Sequence, residues 1–251
     1  MSLLAPDEPA PVILERAESP APFVITCDHA GQLIPRRLGD LGVSAAERAR
    51  HIGWDIGALG VARMLAVRLD AVLIAQRYSR LVIDCNRPPD NPDLCCERSE
   101  ATDIPGNRGL DLHARAERLA AIHAPYHAAI AAVLEKRTAA GRASIYMAVH
   151  SFTPRHHRVD RPWHVGVVHG RDVRLATPLL ERLRAEPGIV VGDNEPYCID
   201  EKDHGIPAHA EARGLPHVLL ELRQDLIASV GGQQAWGERL AAALADASRG
   251  L

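Results

Sequence analysis

The sequence predicts an α/β fold, a mostly parallel sheet with helices on both faces, and three observations carry the prediction. Short apolar runs recur along the 251 residues, each bounded by Gly, Pro or a polar turn, as buried strands are. Between them lie stretches with apolar residues three and four positions apart, the spacing of a helix with one buried face. Several runs end in a residue capable of chemistry, His29, Asn86 and His150 among them, and open α/β sheets build their sites at the carboxyl ends of strands. Strands that alternate with helices pair largely in parallel and are covered on both sides.

Residues 1–21, rich in Pro, Ala and Glu, are expected to form an extended leader, followed by a single domain over residues 22–251. The run 22–27 reads as a buried strand that breaks at Asp28-His29-Ala30-Gly31, where a glycine permits a sharp exit. A helical pattern follows through Ala58, Val61, Ala62, Leu65 and Leu69, with Asp55 expected in its first turn. Residues 71–75 and 80–85 read as strands, the second stopped by Pro88-Pro89 so that Asn86 and Arg87 are presented at an edge. Residues 91–111 have loop chemistry and are long enough to suggest a lid. A long helix is expected over 112–136, kinked at Pro125. Strands at 144–151, 165–168, 189–192 and 217–223 and helices at 175–183 and 234–247 complete the pattern.

The length and the 47% hydrophobic content suffice for one substantial core. A net charge of -3 supplies no strong field for nucleic acid or anionic lipid, so neither partner is expected. No apolar run approaches the roughly 20 residues of a membrane span, and the opening residues lack a secretory pattern. Five cysteines, an odd number with Cys95 and Cys96 vicinal, do not form a disulfide framework. A cytoplasmic protein is expected, and nothing in the sequence indicates an oligomer.

Two imidazoles and a carboxylate, His29, His150 and Asp55, make a ligand set that leaves one zinc position open for water, which points to a hydrolytic metal site. Each residue alone has a plainer reading, as a dipole partner or a satisfier of backbone groups. Glu221, inside an apolar strand, either acts as a general base beside the metal or pairs with an arginine such as Arg223. Asn86 and Arg87 suit a substrate carboxylate, because a guanidinium forks onto it and an amide adds a further donor. Arg80 and Arg223 serve a second acidic group or pair with Asp84 and Asp225. His123 and His127 have the spacing of a helical zinc site but lack its glutamate and enclose Pro125, so core or substrate-lining roles are expected. No Gly-x-Ser-x-Gly elbow supports a serine hydrolase.

Six segments together, Cys27-Asp28-His29-Ala30-Gly31, His51-Ile52-Gly53-Trp54-Asp55, Asp84-Cys85-Asn86-Arg87-Pro88, Val149-His150-Ser151-Phe152, Asn194-Glu195-Pro196-Tyr197 and Leu220-Glu221-Leu222-Arg223, resemble the N-formylglutamate amidohydrolase family. The resemblance runs from Phe23 to about Ala228. It implies a three-layer α/β/α sandwich related to zinc carboxypeptidases and acylamino-acid deacylases. It further implies zinc-dependent hydrolysis of a small anionic N-acyl amino acid, N-formyl-L-glutamate in the name-giving members, within histidine degradation. His29 and His150 match the histidine ligands, Asp55 the carboxylate ligand and Glu221 the catalytic glutamate. Asn86 and Arg87 resemble a carboxylate clamp, and Tyr197 and His209 fall in segments expected to line the pocket. His29 is followed by Ala30-Gly31-Gln32, not by the His-x-x-Glu of the carboxypeptidases, so the carboxylate ligand comes from elsewhere. A broader N-acyl amino-acid hydrolase and a non-catalytic carboxylate-binding protein are the alternatives.

Overall fold

The computed structural model describes residues 2–251 and contains a mixed sheet of seven strands. These are β1 (Val12–Glu15), β2 (Phe23–Cys27), β3 (Val72–Gln76), β4 (Ile145–Phe152), β5 (Val165–Val168), β6 (Val191–Asp193) and β7 (His217–Arg223). Their spatial order is β1-β3-β2-β4-β7-β5-β6. The four central strands, β3, β2, β4 and β7, run parallel, whereas β1 is antiparallel to β3 and β5 is antiparallel to β7.

Alternation along the strands divides two cores. Ile25, Leu73, Met147, Val149, Leu220 and Leu222 face α1 (Ala58–Arg68), α4 (Ala176–Arg184) and α5 (Val230–Ala247). Val24, Ile74, Tyr146, Ala148 and Leu219 face the opposite layer. That layer is built on α2 (Leu112–Arg118), a π-helical turn at Leu119–His123 and α3 (Ala124–Ala139). The result is a three-layer α/β/α sandwich. Full burial of each large aliphatic side chain contributes roughly 1.5–3 kcal/mol, and both faces of β4 are buried along its whole length. By the same alternation His150 and Glu221 fall on the α2–α3 face of the sheet, at the carboxyl ends of two adjacent parallel strands.

The structure departs from the sequence expectations in five places. Residues 12–15, assigned to a leader, add an edge strand to the sheet. Residues 80–85 form no strand, although 81–85 are buried. Their carbonyls are served by side chains, with Asn107 Nδ2 donating to Leu81 O at 2.9 Å and Arg118 Nη1 to Val82 O at 2.9 Å. A continuous apolar run looks the same whether its backbone is satisfied by a ladder or by donors from elsewhere. The long helix expected over 112–136 is interrupted by the π-turn ending at His123, which absorbs the hydrogen bond that Pro125 cannot donate. Asp55 precedes α1, whose first turn begins after Gly57 at φ 80°. Gly31 is required for a different reason from the one its sequence context suggested, because a Cβ there would overlap the Arg77 carbonyl. Among the described residues no helix is long and apolar enough to cross a membrane.

Candidate active site

His29 leaves the sheet two residues after β2, and its carbonyl accepts the Asp55 N–H at 2.9 Å, which ties the turn before α1 to the strand end. Three buried side chains, His29, Asp55 and His150, converge there. Asp55 Oδ2 lies 3.3 Å from His29 Nδ1 and 3.2 Å from His150 Nδ1. The rings meet edge to face at 86°, with centroids 4.8 Å apart. Each imidazole is gripped from behind: His29 Nε2 is 2.7 Å from Asp84 Oδ1, and His150 Nε2 is 2.7 Å from Asp28 Oδ2. A carboxylate on Nε2 fixes the tautomer that leaves the Nδ1 lone pair facing inward, the arrangement found behind metal-ligating histidines.

Opposite charges are closely coupled at that point. Burial would raise the Asp55 carboxyl, but His29 and His150 hold it well below its ordinary value. Asp28 is likewise pushed up by burial and brought down to about 2, chiefly by its hydrogen bond to His150. Asp84 is held low against burial by Arg80 and His29. Burial and Arg80 depress His29, yet Asp84 and Asp55 outweigh them. Burial also depresses His150, which Asp28 and Asp55 raise well above its usual value. Two of these carboxylates face one guanidinium, Arg80, whose Nη2 donates to Asp84 at 2.7 Å and whose Nη1 lies 3.4 Å from Asp55. A bound cation would take the place of the protons that His29 and His150 hold against these carboxylates.

Glu221 pairs across the sheet with His150 on one side and Gly166 on the other. Its Oε2 is buried without a hydrogen-bond partner, and burial pushes the carboxyl up to about 7. It borders a cavity of about 200 Å3 that also touches Arg80, Arg87, Tyr197 and Lys202. A neighbouring cleft of about 590 Å3 shares Asp55, Arg80 and Arg87 and is bounded by Asp93, Arg98 and Glu100 from the 91–111 segment.

Three other expected site residues have different surroundings. Asn86 reaches the cavity, but its amide is committed to the chain itself: Nδ2 donates to Asp203 Oδ1 at 2.8 Å, and Oδ1 accepts the N–H groups of His204 and Gly205. Arg223 lies outside the cavity, its guanidinium on Asp225 at 2.9 Å, because the strand ends there and the carboxylate two residues on is within reach. His209 also lies outside it, its Nε2 2.8 Å from His127 Nδ1. Arg87 remains at the cavity, with Nη1 donating to the Lys202 carbonyl at 3.0 Å. Sequence reading missed Asp28 and Asp84 as supports of the histidines, Tyr126, which donates to Asp28 Oδ1 at 2.7 Å, and the 198–203 loop. Carboxylates embedded in the apolar runs 23–28 and 81–85 were the available signal for the first two.

Residues 21–228 match the family model for N-formylglutamate amidohydrolase. A gene product of Agrobacterium tumefaciens of known structure is 38% identical, with 98% of this chain and 97% of that one aligned at a TM-score of 0.95. An N-formylglutamate amidohydrolase from Ralstonia eutropha shares the fold at 23% identity, covering 94% of this chain and 96% of that one with a TM-score of 0.65. No curated protein matches by sequence. With its motifs in order and the family model spanning most of its length, the chain belongs to the N-formylglutamate amidohydrolase family.

Proposed function

We propose that the chain hydrolyses N-formyl-L-glutamate to glutamate and formate, with a divalent cation, most simply Zn2+, held by His29, Asp55 and His150. One observation carries the reading. Two Nδ1 atoms, each on a ring anchored through Nε2 to a carboxylate, meet one Asp55 oxygen at 3.2 and 3.3 Å beside the partnerless Oε2 of Glu221. This donor set, two imidazoles and a carboxylate, fits zinc and leaves room for water. When bound, the ion polarises the amide carbonyl and acidifies the attacking water.

The remaining steps belong to the chain. Glu221, with its carboxyl near 7, is matched to accept the proton of the attacking water at neutral pH and to return it to the leaving amine nitrogen. Arg80, 3.4 Å from Asp55 through Nη1, offsets negative charge as it develops on the carbonyl oxygen. Arg87 and Lys202 supply positive charge for the substrate carboxylates. A cavity of about 200 Å3 supports a compact substrate, below the roughly 300–1,000 Å3 of drug-sized ligand sites. Five unpaired cysteines support a cytoplasmic location.

The test compares wild type with His150→Ala for metal content and for hydrolysis of formyl-, acetyl- and peptidyl-glutamate. The variant is expected to lose one equivalent of metal together with formylglutamate turnover. Turnover of acetyl or peptidyl substrates alone would redirect the assignment to a broader N-acyl hydrolase. Stoichiometric binding of N-formylglutamate with no turnover by any metal-loaded form would replace the enzyme with a carboxylate-binding protein.

A further inference from the structure

Behind the catalytic cavity lies a second cluster of imidazoles. His123 closes the π-turn and His127 follows one turn later in α3, with ring centroids 4.3 Å apart. His204 comes from the 198–205 loop, its ring 5.3 Å from that of His123 and 4.5 Å from that of His127. One ring nitrogen from each of the three lies within 4.8 Å of the others. None of the three lines the catalytic cavity.

The hydrogen bonds determine which nitrogens are available. His123 Nε2 is 3.0 Å from the Arg87 carbonyl, and His127 Nε2 is 2.9 Å from the Cys85 carbonyl. A carbonyl only accepts, so both Nε2 atoms carry the proton and both Nδ1 atoms carry a lone pair. Backbone carbonyls thus anchor both rings through Nε2, as carboxylates do in the first centre, while the His127 Nδ1 is engaged by His209. His209 Nε2, 2.8 Å from His127 Nδ1, must then donate to it. That leaves His209 Nδ1 as an acceptor, and it is buried with no partner. Burial holds His123, His127 and His204 below their ordinary values, which disfavours their charged forms. The loop is preset as well, because the His204 N–H is fixed on Asn86 Oδ1 at 3.2 Å.

We propose that His123, His127 and His204 form a second cation site, selective for an imidazole-preferring ion such as Zn2+, Ni2+ or Cu2+, which fastens α3 to the loop carrying Lys202 and Asp203. With no carboxylate in the set, hard ions such as Mg2+ and Ca2+ are disfavoured. The ion would take the His127 lone pair that His209 otherwise occupies.

The test strips purified full-length protein with chelator and titrates it with Co2+, followed by visible absorption and by metal counting after desalting. Wild type is expected to retain two ions per chain, and His204→Ala and the milder His204→Gln one each. His150→Ala should also retain one, with the absorption band of an all-nitrogen site. Saturation of wild type at a single ion, or two ions kept by both folded His204 variants, would overturn the proposal. If His150→Ala keeps both ions while the His204 variants lose one, the catalytic-centre reading fails and this one stands.

Discussion

Glu221 shows how function and stability oppose each other at a single residue. Its carboxyl is raised from 4.5 to about 7, principally by burial, so the folded state disfavours the charged form. A raised carboxyl costs nothing below the unfolded value, and the cost grows as pH rises through 7, reaching about 3 kcal/mol at most. Glu221→Gln, nearly isosteric and uncharged, should therefore raise the urea midpoint of the metal-free protein at pH 8 and leave it nearly unchanged at pH 4.5. The same variant should lose about 10^2–10^4 in kcat while retaining metal. Full activity in Glu221→Gln would remove it as the base. Asp84 and Asp28 act one step back. Asp84→Asn keeps the shape behind His29 but weakens the hold on the proton at Nε2, and metal affinity should fall about 10–100-fold in chelator competition. An unchanged affinity would show that the carboxylate serves only its other partners, Arg80 at 2.7 Å and the Asn86 N–H at 2.9 Å.

Among the elements, the 198–205 loop depends most on one distant residue. Asn86 satisfies the Asp203 carboxylate and the His204 and Gly205 N–H groups at once. Asn86→Ala leaves the His204 and Gly205 N–H groups wanting partners, a cost of about 1–3 kcal/mol for each that stays buried, while Asp203 keeps the Asp200 N–H at 3.0 Å. Limited proteolysis should accelerate within residues 198–205 and KM should rise, since Lys202 and Asp203 border the cavity; unchanged cleavage would mean the loop is held by other contacts. This engagement was illegible in the sequence, where Asn86-Arg87 read as a clamp waiting for substrate, because an amide's partner is chosen by tertiary placement 117 residues away. The buried central strands were legible, since continuous apolar runs such as Ile145–Phe152 and His217–Arg223 have few alternatives. Edge strand β1 was not, because a short, half-exposed Val12–Glu15 amid prolines carries little periodicity. The first-centre residues His29, Asp55 and His150 could be named from strand ends and family motifs. For their supports Asp28 and Asp84 the apolar runs around them marked only a buried carboxylate, not its partner, because each holds the histidine of a different segment.

For the molecule as a whole, the first centre joins the turn after β2, the turn before α1, the buried 80–85 segment and strands β4 and β7. Its cation would thus bind only when segments spread over most of the chain are assembled, so binding free energy is folding free energy. At free metal about 10^2–10^3 times Kd, linkage adds about 3–4 kcal/mol, and each kcal/mol is worth about 2–4 °C for a chain of this size. Stripping the protein with chelator should accordingly lower Tm by roughly 10 °C, and added Zn2+ should restore it. Without the ion, Asp28, Asp55 and Asp84 are left facing Arg80 and whatever protons His29 and His150 can hold, and a loss of charge compensation in a buried site is felt by the entire fold. The response should be much smaller in His150→Ala, whose first centre no longer closes. An equal Tm with and without chelator in wild type, at pH 7.5 and with metal content verified, would mean that the carboxylates are already compensated and that no cation couples these segments.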